Sequence, residues 1–178
     1  MPTYFVENNK KMNPGDEIIT IVDRDDNEVA QLPRRVMRAQ GLIHRATYIL
    51  VFNRQGELMV QQRTMTKDIY PGYFDVAAGG VVLAGESYEL SGHRELAEEL
   101  GVADVELTPH FDFYHEDDDN KVWGRVFSCI TDGPFTLQKE EVAAAFFMEV
   151  DQVLALSEKE SFTPDGILVL RRFLQDHA

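Results

Sequence analysis

Cysteine is nearly absent from this 178-residue chain. Cys129 stands alone, which excludes an intramolecular disulfide and any zinc site built on several thiolates. No apolar run approaches the roughly 20 residues that span a bilayer. Met1 to Asn13 lack the charged-then-apolar pattern of a secretion signal, so the cytoplasm is the expected compartment. Basic residues are scarce as well: 17 Lys and Arg face 31 Asp and Glu, a formal charge of −14 that repels phosphate backbones and anionic membranes. Neither nucleic acid nor a membrane is an expected partner. A small phosphorylated ligand stays open, because a divalent cation in an acidic cleft reverses the charge that phosphate oxygens meet. Repeats, low-complexity stretches and internal linkers are also missing, so the chain reads as a flexible tail over 1–15 and a single domain over 16–178.

What is present suffices for a sizeable core: 44% of residues are hydrophobic, with eleven Phe, six Tyr and one Trp. Glu17 to Val22 and Glu28 to Leu32 flank the turn-rich Arg24-Asp25-Asp26-Asn27 and predict a hairpin. Pro33 to Gln40, closed by Gly41, predicts a short helix. Ala46 to Phe52 and Glu57 to Gln62 predict a second hairpin, and Tyr73 to Ala78 a further strand segment. From Ser87 to Leu100 the pattern turns helical, with Leu90, Leu96, Ala97 and Leu100 grouped on one side and Gly101 as a stop. Leu107 to Tyr114 and Lys121 to Thr131 predict a long hairpin, Val142 to Val150 a strand, and Thr163-Pro164 the start of a helix through Leu174. Strands interleaved with helices predict an α/β fold, a mixed sheet sandwiched between helices.

The chemistry concentrates between Gly79 and Val102. On a helix Glu95, Glu98 and Glu99 stand at i, i+3 and i+4, so their carboxylates emerge as neighbours and repel one another. Hard oxygen ligands at this density suit Mg²⁺, with Mn²⁺ as a substitute, since these cations take a few carboxylates, retained waters and phosphate oxygens. Arg94 is placed to fork toward Glu86 ahead of the helix and to hold carboxylates in position. An acidic helix face alone is usually only a solvated surface. Here the spacing is longer and more specific: Gly80, five residues, Glu86, seven residues, Arg94-Glu95, Leu96, one residue, Glu98-Glu99, one residue, Gly101 and Val102. At roughly 5 to 7% usage per residue type, seven fixed identities arise by chance on the order of 10⁻⁹ per starting position.

These 23 residues resemble the box of the Nudix hydrolases and match every required position. The resemblance implies a Nudix-like α/β/α sandwich and a loop-helix-loop that holds divalent metal against a small diphosphate compound. It implies Glu98 and Glu99 as metal ligands, Glu95 as ligand or general base, Arg94 and Glu86 as an orienting pair, and the carbonyl of Gly79 or Gly80 as a further ligand. A homodimer is the family habit. Three departures stand out: Gly92 lies mid-helix, where it costs about 0.5 to 1 kcal/mol relative to Ala, Leu83 replaces a frequent Glu, and Ala78 replaces a frequent Pro.

His44-Arg45-Ala46, Gln61-Gln62-Arg63 and Tyr70-Pro71-Gly72-Tyr73 also resemble isopentenyl diphosphate isomerase, a Nudix-fold enzyme of another reaction class. That enzyme's essential Cys and Glu-x-Glu correspond here to Gly79 and to Asp119-Asn120-Lys121, which removes the acid its proton transfer needs. A non-catalytic nucleotide-binding module is the third reading, set against the retention of Glu95, Glu98 and Glu99. Outside the box, His44-Arg45, Glu140-Glu141, the Glu116 to Asp119 turn and the aromatics Tyr73, Phe74 and Trp123 are weaker candidates, each with a local structural explanation at least as good.

Overall fold

The computed structural model describes residues 12–178. Most of the expected tail lies outside the described residues. Within them, Asn13 caps a 3₁₀ turn at Pro14–Asp16, and Asp16 pairs with Arg35. The first hairpin forms as read, with β1 (Ile18–Val22) antiparallel to β2 (Glu28–Pro33). Helix α1 (Arg34–Gln40) follows, and Gly41 ends it in the left-handed region at φ 58°, where a glycine carries no Cβ penalty.

The centre of the molecule is β3 (His44–Phe52), buried along nearly its whole length. It pairs in parallel with β7 (Lys121–Ile130) from His44 opposite Val122 to Phe52 opposite Ile130. Strand β6 (Thr108–Glu116) folds back antiparallel on β7. Side chains alternate across a strand, and β3 uses both faces. Tyr48 and Leu50 enter one core with Leu58, Val60, Val153, Val169 and Leu170, while Ile49 and Val51 enter another with Met59, Leu96, Leu100 and Phe127. A strand buried on both sides needs helices on both sides. They are α2 (Tyr88–Leu100) over the second core, and α3 (Val150–Ser157) with α4 (Pro164–Asp176) over the first. This is the α/β/α sandwich of the sequence reading.

Three expectations are corrected. The turn after β3 forms, with Asn53 Oδ1 accepting the N–H groups of Gln55 and Glu57. The strands it joins share only the pair Phe52 and Leu58, after which β4 (Leu58–Arg63) leaves to pair with β8 (Val142–Met148) and β5 (Phe74–Asp75). Long-range partners win because both strands are apolar on two faces. The segment after Tyr73 is a strand only at β5, then runs beside β3 as isolated bridges at Ala78 and Val81. Leu90 is exposed, and Ser91 and Gly92 are buried in its stead. A Cβ at Gly92 would lie 2.9 Å from Leu107 Cδ1 and 3.5 Å from Ile49 Cδ1, so the mid-helix glycine lets α2 approach the sheet closely. Among the described residues no helix is long and apolar enough to cross a membrane.

Candidate active site

The glycine loop is laid along β3 by backbone hydrogen bonds: the N–H of Ile49 donates to Ala78 at 2.7 Å, that of Thr47 to Gly80 at 2.9 Å, and that of Val82 to Arg45 at 2.9 Å. This closeness dictates the residue type. Gly79 has φ 132°, and a Cβ there would fall 2.1 Å from the Thr47 carbonyl oxygen. At Gly80 a Cβ would fall 2.7 Å from Glu95 Oε1, so the second glycine makes room for a carboxylate. Ser87 then caps α2 by accepting the Leu90 N–H at 3.1 Å, and α2 carries its acids back beneath the loop.

Arg94 ties the assembly together. Its Nε and Nη2 fork onto Glu86 at 2.7 and 3.0 Å, its Nη1 reaches Glu95 at 2.8 Å and Glu98 at 3.4 Å, and Nη2 touches the Val81 carbonyl at 3.3 Å. Glu86 in turn accepts the Leu83 N–H at 3.1 Å. One guanidinium thereby fixes both the loop and the helix acids Glu95 and Glu98, with the fork onto Glu86 that the sequence reading expected. Glu98 remains half exposed. Glu99 is buried and accepts the Gly79 N–H at 3.3 Å. Burial, reinforced by the charge of Glu95, pushes the Glu99 carboxyl up to about 8, and burial also raises Glu95 against the pull of Arg94.

Two carboxylates that resist ionising side by side form a donor set a cation would stabilise, and their oxygen chemistry fits Mg²⁺. Among the described residues no three His, Cys, Asp or Glu side chains are already drawn into a cage, since Arg94 engages Glu95 and Glu98. Mg²⁺ completes its octahedron with waters and substrate oxygens, so a partial set is compatible with it. Gly80 O accepts from the Thr47 N–H at 2.9 Å and faces the Thr47 hydroxyl at 3.4 Å, whereas Gly79 O accepts no hydrogen bond among the described residues.

Beside the glycine loop opens a cleft of about 600 Å³, counting the solvent at its mouth. Its walls carry Arg34, Arg38, Arg63 and Lys67 against Asp68, Asp75 and Asp165, so basic groups outnumber acidic ones there, unlike in the chain as a whole. Sequence reading did not single out Arg34, Arg38 or Lys67 as site residues. Lys67 pairs with Glu141, which places the weak candidate Glu141 at the rim. His44 lines the cleft but is fully buried, and burial with the charge of Arg38 depresses it to about 3, so it is neutral. Arg45 faces elsewhere, onto Asp26 and Glu28. In the Glu116 to Asp119 turn, Asp117 accepts the N–H groups of Asp119 and Asn120 and the Tyr70 hydroxyl. Phe74 packs among Phe146 and Phe162, and Trp123 against Tyr114.

Cys129 sits in the core under α2, 3% exposed, where burial raises its thiol to about 11. A thiol so placed cannot serve as the acid of an isomerase. Cys129→Ser is expected to keep turnover within about twofold and to lose about 1 to 3 kcal/mol of stability, the cost of an unsatisfied buried hydroxyl. A folded variant without turnover would restore a cysteine-dependent mechanism.

Known proteins share this sequence pattern and fold. The NUDIX domain model matches residues 42–173. An uncharacterized Nudix hydrolase of Pseudomonas aeruginosa is 45% identical over 158 residues, covering 89% of this chain and 94% of the relative. The uncharacterized Nudix hydrolase YfcD of Escherichia coli is 43% identical over 162 residues, covering 91% and 89%. The crystal structure of DR0079 from Deinococcus radiodurans superposes with a TM-score of 0.76 at 25% identity, over 88% of this chain and 98% of that one. With the box matched, its arginine and carboxylates joined in space and the sandwich shared, the chain belongs to the Nudix family and is an enzyme of the Nudix hydrolase kind.

Proposed function

We propose that the protein cleaves a diphosphate linkage in a nucleoside diphosphate-linked or similar small metabolite, with Mg²⁺ as cofactor. The observation that carries this reading is the placing of Glu95 and Glu99 against Gly80 and Gly79, which line a cleft where four basic side chains face three acidic ones in a chain of charge −14. Glu95, Glu98 and Glu99 would hold the cation, with the carbonyl of Gly80 or Gly79 as a further ligand. When bound, such a cation would supply charge to neutralise phosphate oxygens and activate water. Where Glu95 is not itself a ligand, it would be the base that takes the proton of the attacking water. Arg94 and Glu86 keep Glu95 at its station beneath Gly80, and the basic walls bind the anionic ends of the substrate.

The isomerase reading loses support on the thiol's burial, and the binding-module reading on the retained carboxylates. Phosphate release from a panel of diphosphate compounds with magnesium, with products weighed by mass spectrometry, tests the proposal. Turnover of isopentenyl diphosphate alone, or binding without any turnover, defeats it.

Melting supplies an independent check. A ligand bound only by the folded chain stabilises it by about 2.7 kcal/mol at one hundred times Kd. At 2 to 4 °C per kcal/mol, Mg²⁺ is expected to raise Tm by roughly 5 to 10 °C, and sodium at equal ionic strength by much less. The double variant Glu98→Gln with Glu99→Gln is expected to respond little. Retention of the full shift would move the cation away from the α2 face.

A further inference from the structure

Helix α1 presents an arrangement that stability alone does not favour. Arg34 and Arg38 stand at i and i+4, on one face, with side chains only 19% and 18% exposed. Like charges at this spacing repel, and burial with the charge of Arg34 lowers Arg38 to about 10. Arg35 between them turns outward to Asp16, so the pair is directed inward while the spare arginine takes the solvent. Both line the cleft beside the box, together with Arg63.

Their hydrogen bonding is incomplete. The buried Nε atoms of Arg34, Arg38 and Arg63 have no acceptor among the described residues. Arg63 leans on Asp75 at 3.4 Å through Nη1, Arg34 on Glu17 at 3.3 Å, and Arg38 on the Asn120 carboxamide at 3.4 Å. The Nε atoms of Arg34 and Arg38 are left pointing toward a single carboxylate oxygen, Asp68 Oδ2, at 3.5 and 3.8 Å. Those separations give charge attraction without a hydrogen bond. Asp68 is half exposed, on the loop between β4 and β5, and occupies the place of an anion that the guanidinia do not fully grip.

Resting on the hydrolase reading above, we propose that Arg34 and Arg38 form a terminal-phosphate subsite, from which substrate displaces Asp68. Guanidinium forks match phosphate oxygens in pairs; Glu17 offsets part of the Arg34 charge, and a free terminal phosphate brings more negative charge to the remainder than Asp68 does. The substrate class is therefore a phosphate chain with an uncapped end, such as a nucleoside di- or triphosphate, in preference to a diphosphate capped by a neutral sugar.

The test is titration calorimetry of inorganic pyrophosphate into the full chain with EDTA, so that metal plays no part. Wild type is expected to bind, Arg34→Ala to bind at least tenfold more weakly, and Asp68→Asn at least threefold more tightly. Arg38→Lys, which keeps the charge and loses the fork, should weaken binding in a chain whose circular dichroism is unchanged. In turnover, Arg34→Ala is expected to raise KM at least tenfold for nucleoside di- and triphosphates and much less for nucleotide sugars. No metal-free binding by wild type, wild-type affinity in Arg34→Ala, no gain in Asp68→Asn, or equal KM shifts for both substrate kinds would each overturn the subsite. If pyrophosphate binds in this pattern and no compound is turned over, the hydrolase reading falls and the subsite stands. Turnover with Arg34→Ala indistinguishable from wild type gives the reverse.

Discussion

Glu99→Gln and Glu98→Gln are each expected to lower turnover at saturating magnesium at least about 100-fold while leaving the fold intact. At Glu99 the substitution keeps the size of a buried side chain and its acceptance of the Gly79 N–H, and removes only a charge that burial and Glu95 already oppose. Metal-free protein therefore has nothing to lose, and the variant should melt no lower than wild type without magnesium. At Glu98 the side chain is half exposed and its contact to Arg94 is long, so its loss leaves the Arg94 to Glu86 fork in place. Rates under saturating Mg²⁺, with circular dichroism alongside, make the measurement. Near-normal turnover in both folded variants would refute the metal-ligand assignment.

Gly79→Ala is expected to cost at least about 3 kcal/mol, the sum of a strained backbone and a clash with no way out. The new Cβ would fall 2.1 Å from the Thr47 carbonyl oxygen, and Thr47 sits in β3, held on its other edge by β7. Neither partner is the far end of a flexible side chain. At 2 to 4 °C per kcal/mol, Tm should fall by roughly 6 to 12 °C, and activity should fall with it. Gly56→Ala provides the control, because Gly56 also has positive φ, 83°, but a Cβ there meets nothing within 4 Å. Only backbone strain, about 1 to 2 kcal/mol, is expected at Gly56. Equal losses in the two variants would mean that the loop does not lie against β3 as described.

The box was legible because its chemistry imposes both identity and spacing on one continuous stretch: a fork from Arg94 to Glu86 and acids at i, i+3 and i+4 survive in the sequence as a fixed pattern. The cationic wall was not. Arg34 and Arg38 look like ordinary polar positions of a short helix, and only the three-dimensional arrangement reveals that they face a cleft while Arg35 does not. Lys67 sits in a loop, where no periodicity marks it. The sandwich followed from the alternation of strands and helices, but the parting of β3 from β4 could not be read locally, since two apolar strands joined by an Asn-Arg-Gln-Gly turn predict each other as partners. Helix α3 was missed because the strand was read through to Val150, although Glu149, Asp151 and Gln152 interrupt the apolar run after Met148.

The parallel pairing of β3 with β7 also bears on how the molecule is made. The hairpin of β6 and β7 is local and can close as soon as both strands exist, but β3 waits for a partner that begins at Lys121. During synthesis from the N-terminus, the glycine loop can cover one edge of β3 early, but the edge that faces β7 stays bare until most of the chain has left the ribosome. Loop-closure entropy must be spent before that contact returns anything, so folding should be slow for a chain of this length and prone to association while β3 is unpaired. Substitutions in β3 that barely alter the finished enzyme are then expected to act on yield, through the time the nascent chain spends half assembled.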